Sequence, residues 1–407
     1  MVGNENHARH MSSGGLSEAR LERMHDVMSS HVERGHVPGM VTLVARRDVV
    51  HVDVIGTKAL GGAPMRRDTI FRIASMTKPI AAVAAMILLE ECALRLDDPV
   101  DALLPELSGR RVLRSIESSL DDTVPAGRPI TLRDLLTLRI GLGAIFAPPG
   151  RYPIQRAMDE RGLSLGPDLP GLPTDEWMGR LGELPLVHQP GEGWMYETSS
   201  DVLGVLISRA TGRSLGEFFQ ERIFGPLGMQ DTGFRVPKAK LDRLADCYEA
   251  DSESGTLHIF DAAGDSTWSR PPIFESCGGG LVSTVDDYLA FCRMLLGGGS
   301  YGGERILSRP SVELMTTDHL TEEQKAEGEI LLGDGVGWGF GLAVVSGRSG
   351  LASPGAFGWD GGFTTSGHSD PREEMVGILM TQRVAGNEIS GMIHRDFWTS
   401  TYQAIDD

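Results

Sequence analysis

The stretch Phe71-Arg72-Ile73-Ala74-Ser75-Met76-Thr77-Lys78-Pro79, running on into Ile80-Ala81-Ala82-Val83-Ala84-Ala85-Met86-Ile87-Leu88-Leu89, decides how the chain is read. From Ser75 to about Cys92 it predicts one long helix, rich in Ala, Ile, Leu and Met and apolar almost all round. A helix without a polar face belongs in the middle of a protein. Pro79 interrupts little, because it falls in the first turn, where backbone amides have no helical partner anyway. Ser75 and Lys78, at i and i+3, share a face, so their side chains can touch. A lysine in a partly buried first turn is poorly solvated, and desolvation lowers its pKa. Held neutral, the amine can take a proton from the serine hydroxyl; held charged, it lowers the pKa of a neighbouring phenol. The four residues alone are weak evidence, since an N-cap serine followed by a surface lysine spells the same pattern. The apolar helix behind them gives them weight.

Outward from this helix, residues 1–15 read as a disordered tail and 16–35 as an amphipathic helix with Leu21, Met24 and Met28 on one face. Two strands, Met40–Ala45 and Val49–Ile55, flank a charged turn, and Thr69–Ile73 is a third extended segment. The region 96–270 reads as mostly helical, with helices at Leu132–Leu138, Thr174–Leu181, Asp201–Ala210 and Leu215–Ile223. The last should stop before Gly225 and Pro226. A Pro- and Gly-rich stretch without period, within a lid-like loop at 145–173, interrupts it. After about 270 strands return at Gly278–Ser283, Gly341–Val345, Gly361–Thr365 and Met375–Thr381, with a helix at Val285–Leu296. Short strands without crossover helices imply an antiparallel sheet. The expected fold is therefore α+β: residues 16–95 and 271–407 form an antiparallel sheet flanked by helices, and 96–270 is an inserted helical domain.

The composition excludes several roles. A formal charge of −18 repels nucleic acid and anionic membranes and does not attract anionic substrates. Cys92, Cys247, Cys277 and Cys292 match no zinc or CxxC spacing, and the histidines have no ligand spacing, so neither metal nor cofactor is expected. Residues 1–15 lack the apolar core of a secretory signal, and Ile80–Leu89, the longest strongly apolar run, is too short to span a membrane. The expected compartment is the cytoplasm. Oligomeric state is not legible.

Two further motifs carry chemistry. In Pro190-Gly191-Glu192-Gly193-Trp194-Met195-Tyr196-Glu197-Thr198 a tyrosine precedes a helix, where its phenol can enter a cleft. It becomes an effective base only if a nearby cation such as Lys78 depresses its pKa; otherwise it is a core ring. Gly358-Trp359-Asp360-Gly361-Gly362-Phe363 opens a C-terminal strand whose glycines either leave N–H groups open to a substrate oxygen or mark a bulge. Gly162-Leu163-Ser164-Leu165-Gly166 spells a GxSxG elbow, which needs a strand before it and a helix after it. Helix end or loop precedes Ser164 and Pro167-Asp168-Leu169-Pro170 follows it, so Ser164 is read as a decoy. His188 and His368 lie near motifs but are read as bystanders, and Phe146 and Tyr152 as pocket walls.

Taken in order, Ser75-x-x-Lys78, Tyr196 and the Gly361 strand resemble the class C β-lactamases and their relatives: penicillin-binding D,D-peptidases, family VIII carboxylesterases and fungal-type acyltransferases. Ile130-Thr131-Leu132-Arg133-Asp134-Leu135-Leu136-Thr137 and Gly278-Gly279-Gly280-Leu281-Val282-Ser283-Thr284 add to the likeness, which covers roughly residues 18 to 400. The resemblance implies Ser75 as nucleophile, Lys78 as its partner in proton handling, Tyr196 as general base, and the N–H groups of Ser75 and Gly362 as oxyanion hole. Departures from the family pattern choose among its activities. Where the lactamases and peptidases have Lys-Thr-Gly or His-x-Gly, this chain has Trp359-Asp360-Gly361, so the cation that grips a substrate carboxylate is missing. Tyr196-Glu197-Thr198 also lacks the asparagine many β-lactamases carry. The expected substrate is a small neutral ester of short to medium acyl chain, with Trp359, Asp360, Gly361, Thr198, Phe146 and Tyr152 around it. An acyltransferase, a weak β-lactamase or D-aminopeptidase-type hydrolase, and a silent sensor or scaffold are the alternatives.

Overall fold

The computed structural model describes residues 14–348 and 350–407. Alternation of buried side chains builds its central sheet. Along β1 (Gly39–Arg46) Val41, Leu43 and Ala45 face one core and Met40 and Val44 the other. A two-residue turn at Arg47 and Asp48 leads to β2 (Val49–Gly56), paired antiparallel with Met40 opposite Ile55. The other five strands are C-terminal: β3 (Val336–Trp338), β4 (Ala343–Val345), β5 (Phe357–Gly361), β6 (Thr365–Asp370) and β7 (Met375–Thr381). The order is β3-β4-β5-β6-β7-β1-β2, antiparallel throughout, so the N-terminal hairpin joins the sheet by pairing β1 with β7, Leu43 opposite Ile378. The antiparallel α+β architecture read from the sequence is the one observed.

One sheet face is covered by α1 (Glu18–Glu33), with Leu21, Met24 and Met28, and by the C-terminal helix α9 (Glu388–Gln403), with Ile393 and Phe397. The other faces the main core, where α2 (Thr77–Glu90) is buried without a break from Thr77 to Leu88. In the same core as α2 lie α3 (Leu132–Leu136), α4 (Pro153–Glu160), α5 (Thr174–Gly182), α6 (Thr198–Thr211) and α7 (Val285–Leu296), while α8 (Glu322–Leu332) packs beside β3 against Trp194. None of the described helices is long and apolar enough to cross a membrane.

Several boundaries differ from expectation. Gly14 and Gly15, placed in the expected tail, accept hydrogen bonds from the buried Arg46 guanidinium; residues 1–13 lie outside the described ones. The stretch 148–173 contains α4, with Pro153 in its first turn, where proline starts a helix rather than breaking one. The helix at Leu215 does not stop before Gly225: it passes through a π turn at 220–224 and ends at Gly228, φ +70°. The segment Gly361–Thr365, expected as a strand, spans the hairpin instead: Gly361 ends β5, Thr365 opens β6, and 362–364 turn between them, with Thr364 left-handed at φ +58°.

Candidate active site

Ser75 sits on a tight 3-10 turn, Ala74–Met76, that leads into α2. The turn is clamped from several sides. Ile73 N–H donates to Leu281 O at 3.0 Å, Thr77 Oγ1 to Ala74 O at 2.7 Å, and Tyr288 OH to Met76 O at 3.2 Å. Ala74 is held at φ +43°, a strained value for a residue with a Cβ, which is sustained only where the surroundings over-determine it. Gly361 lies against this turn: a Cβ there would strike the Ile73 carbonyl and Thr365 Oγ1. Its missing side chain lets β5 approach the serine turn, which places Gly362 beside Ser75 at the rim of a cleft.

Lys78, 1% exposed, spends all three N–H donors. Its Nζ lies 2.9 Å from Ser75 Oγ, 2.7 Å from Glu197 Oε2 and 2.6 Å from Gly278 O, and 4.4 Å from the centre of the Tyr196 ring. Burial on its own would lower the lysine pKa, as the sequence leads one to expect, but the Glu197 carboxylate and then Tyr196 outweigh it and the net direction is up. The arrangement is that of an ammonium, the second of the two states open at the sequence level. Burial pushes the Tyr196 phenol up and the Glu197 charge adds to it; Lys78 and hydrogen bonding to Ser75 and Trp359 pull part of that back. Trp359 Nε1 donates to the Tyr196 hydroxyl at 2.7 Å, and Trp359 packs edge-on against Trp338 at 4.7 Å between ring centres.

A buried carboxylate completes the group. Asp201 Oδ1 accepts from Ser276 Oγ and from Gly278 N–H, each at 2.8 Å, and so helps fix Gly278, whose carbonyl accepts from Lys78. Burial, then the neighbouring Glu197, pushes its carboxyl up to about 6. Glu197 and Asp201 were visible in the sequence beside and five residues beyond Tyr196, yet nothing in their spacing announced them.

The cleft above Ser75 has a volume of about 430 Å³ and is walled by Phe146, Leu165, Leu169, Leu331, Phe363 and Val384, among others. A second lobe of about 320 Å³ adjoins it, sharing Ala144, Phe146, Ser164 and Leu165. Among the described residues, no arginine, lysine or histidine lines the cleft. A larger surface groove of about 540 Å³, lined by Ser214, Asp231 and Lys240 among others, holds none of the groups described here.

The structure does not bring every expected residue to the cleft. Asp360, expected to face it, points to the other side of the sheet, because neighbouring strand residues face opposite ways. There it accepts from Ser366 Oγ at 2.5 Å and pairs with His368 at 3.0 Å and His394 at 3.7 Å. Thr198 is 1% exposed at the start of α6, and Tyr152 stands before α4 with Arg151 over its ring; neither lines the cleft. Trp359 holds the phenol rather than forming a wall. His188 packs against Gly193 away from Ser75. Ser164 lies on the cleft wall between a helix and a proline-rich turn, its hydroxyl 2.7 Å from Asp159 Oδ1, so the elbow geometry is absent.

Residues 24–393 match the family model described as Beta-lactamase. The chain belongs to the β-lactamase family. This β-lactamase-family protein is 41% identical over 360 residues to Protein Rv1367c of Mycobacterium tuberculosis (strain ATCC 25618 / H37Rv), covering 86% of this chain and 87% of that one. It is 29% identical over 394 residues to Esterase EstB of Burkholderia gladioli, covering 91% and 92%. Among solved structures it superposes on "EstCE1, a hydrolase with promiscuous acyltransferase activity" with a TM-score of 0.79 at 25% identity, over 95% of this chain and 99% of that one.

Proposed function

We propose that this β-lactamase-family chain is a serine carboxylesterase that cleaves small, uncharged esters through an acyl-enzyme on Ser75. The observation that carries this reading is the contact of Ser75 Oγ with a fully paired Lys78, under the Tyr196 ring and at the floor of a cleft without cationic lining. In this scheme the Ser75 proton passes to Tyr196 as Oγ attacks the ester carbonyl. Lys78, as the cation beside it, stabilises the tyrosinate that acts as base. The N–H groups of Ser75 and Gly362 receive the oxyanion. The alcohol leaves with the proton from Tyr196, and water activated by the same phenol oxygen releases the acid.

The uncharged substrate follows from the electrostatics. Lys78 has no donor left for a substrate carboxylate, and Glu197 and Asp201 line the cleft. An anionic β-lactam or peptide C-terminus would meet carboxylates and no free cation. EstB and EstCE1, an esterase and a hydrolase by name, support the ester reading. The promiscuous acyltransferase activity of EstCE1 also favours a second outcome, capture of the acyl-enzyme by an alcohol in place of water.

Intact-mass spectrometry after fluorophosphonate treatment tests the assignment on the wild type, Ser75→Ala and Ser164→Ala. Hydrolysis of p-nitrophenyl butyrate and of nitrocefin is followed in parallel, with and without an added alcohol. Loss of label and ester turnover in Ser75→Ala alone, with slow nitrocefin turnover, is the expected result. Loss in Ser164→Ala instead, or an unlabelled and inert wild type, would overturn it.

A further inference from the structure

Glu197 occupies a place that chain geometry alone would give to glycine. Its φ of +85° and ψ of −73° lie in the γ-turn region, which is rare and strained for a residue with a side chain. Glycine would adopt it without that cost. What the strained position supplies is a carboxylate 2.7 Å from Lys78 Nζ, at the edge of the cleft and 19% exposed. The space into which the carboxylate folds is kept by another glycine, because a Cβ on Gly278 would strike Glu197 Oε1. Two backbone specialisations thus converge on one ion pair.

We propose that Glu197 is a positioning residue for the Ser75 reaction: its charge anchors Lys78 between Ser75 and Tyr196 and keeps the shared proton on the lysine, so that the phenol oxygen is the base. The inference rests on the esterase reading above and goes beyond it by assigning which of two proton-sharing groups carries the negative form. Lys78 with tyrosinate, and neutral lysine with phenol, hold the same number of protons. An adjacent carboxylate favours the first arrangement, since it pairs directly with the ammonium at 2.7 Å, a contact set against the opposition it also offers the phenolate. The titratable groups facing Lys78 are Tyr196 and Glu197 before α6, Asp201 on α6 and Cys277 in the 276–278 segment, with Ser75 on its own turn. Burial holds the Cys277 thiol well above its ordinary value, so it remains neutral.

Removing this charge makes the Lys78–Tyr196 pair lose its proton more readily, and the remaining base is then a neutral amine. In Glu197→Gln, an isosteric change, the rising limb of kcat/KM against pH is expected to move down by about one pH unit or more, the range produced by a charge this close. The plateau kcat is expected to fall about tenfold or more, in keeping with a misplaced general base, with KM little changed. Glu197→Asp retains the charge and should keep the limb at the wild-type pH, although its rate falls. Glu197→Gly removes the charge together with the backbone strain and should show the Gln limb. Rates of fluorophosphonate labelling against pH give the same limb without substrate turnover.

An unmoved limb in Glu197→Gln, or identical limbs in the Gln and Asp variants, would show that the charge does not govern the pair and would overturn the proposal. Ser75→Ala separates the two failures. If Ser75→Ala still labels and turns over ester, the esterase reading falls; if it is silent while the Gln limb stays put, only the role of Glu197 falls.

Discussion

Asp201→Asn reads the electrostatics of the buried cluster from the stability side. Asp201 is 4% exposed, and burial, with Glu197 beside it, lifts its carboxyl from 3.8 to about 6. In the unfolded chain the same group titrates near 3.9, at about the ordinary carboxylate value. Between those values the folded protein holds a proton that the unfolded chain has released. The contribution of this residue to stability is therefore most favourable below the unfolded value and is lost as pH rises toward the folded one. About two pH units at ~1.4 kcal/mol each give a full cost of about 3 kcal/mol near pH 7.5, against well under ~1 kcal/mol near pH 4. Asparagine cannot ionise, yet it keeps an oxygen for Ser276 Oγ and Gly278 N–H. The variant should therefore exceed wild type by up to about 3 kcal/mol near pH 7.5, roughly 3–4 °C in Tm for a chain of this size, and match it near pH 4. Thermal melts by circular dichroism across that pH range provide the measurement. A gap between the two proteins that does not change with pH, or a wild type that is the more stable at high pH, would refute the reasoning.

Other perturbations follow from the same geometry. Trp359→Phe removes the indole donor to the Tyr196 hydroxyl, a bond worth about 1 kcal/mol, so kcat for p-nitrophenyl butyrate should drop about fivefold with KM and Tm little changed. Gly361→Ala drives a Cβ into the Ile73 carbonyl and Thr365 Oγ1 and should cost about 3 kcal/mol or more in urea unfolding, with loss of fluorophosphonate labelling as the serine turn shifts. Phe146→Trp adds bulk where the two lobes of the cleft meet, so kcat/KM across a p-nitrophenyl ester series should fall more for long acyl chains than for acetate. An equal fall for all chain lengths would remove Phe146 from the specificity of the site.

The parts of the fold written as runs of apolar residues were legible. The apolar run behind Ser75 marks α2, and short apolar runs within 39–56 and 375–381 mark β1, β2 and β7. The register that joins β1 to β7 was not, because pairing across most of the chain leaves no local trace. Pro153 concealed α4, and the glycines of 358–362 blurred the end of β5 into its turn. Of the group gathered at the candidate site, Ser75, Lys78 and Tyr196 were marked in the sequence by motif and resemblance. Asp360 misled because a strand residue one position off faces the opposite layer. Glu197 and Asp201 were missed because an acidic residue before a helix ordinarily reads as a favourable helix-start charge. Only the fold turns these two toward Lys78.

The strand order also sets when the candidate site can be assembled. Ser75 and Lys78 leave the ribosome early, but β1 pairs with β7, and Trp359 and Gly362 belong to the β5–β6 hairpin made near the end of synthesis. Until then β1 has a partner only in β2, and the serine turn lacks the strand that packs against it. Pairings of such long sequence separation form late and slowly. On the esterase reading proposed above, the growing chain therefore carries its nucleophile apart from the strands that pack against it, and turnover begins only after the last strands close the sheet.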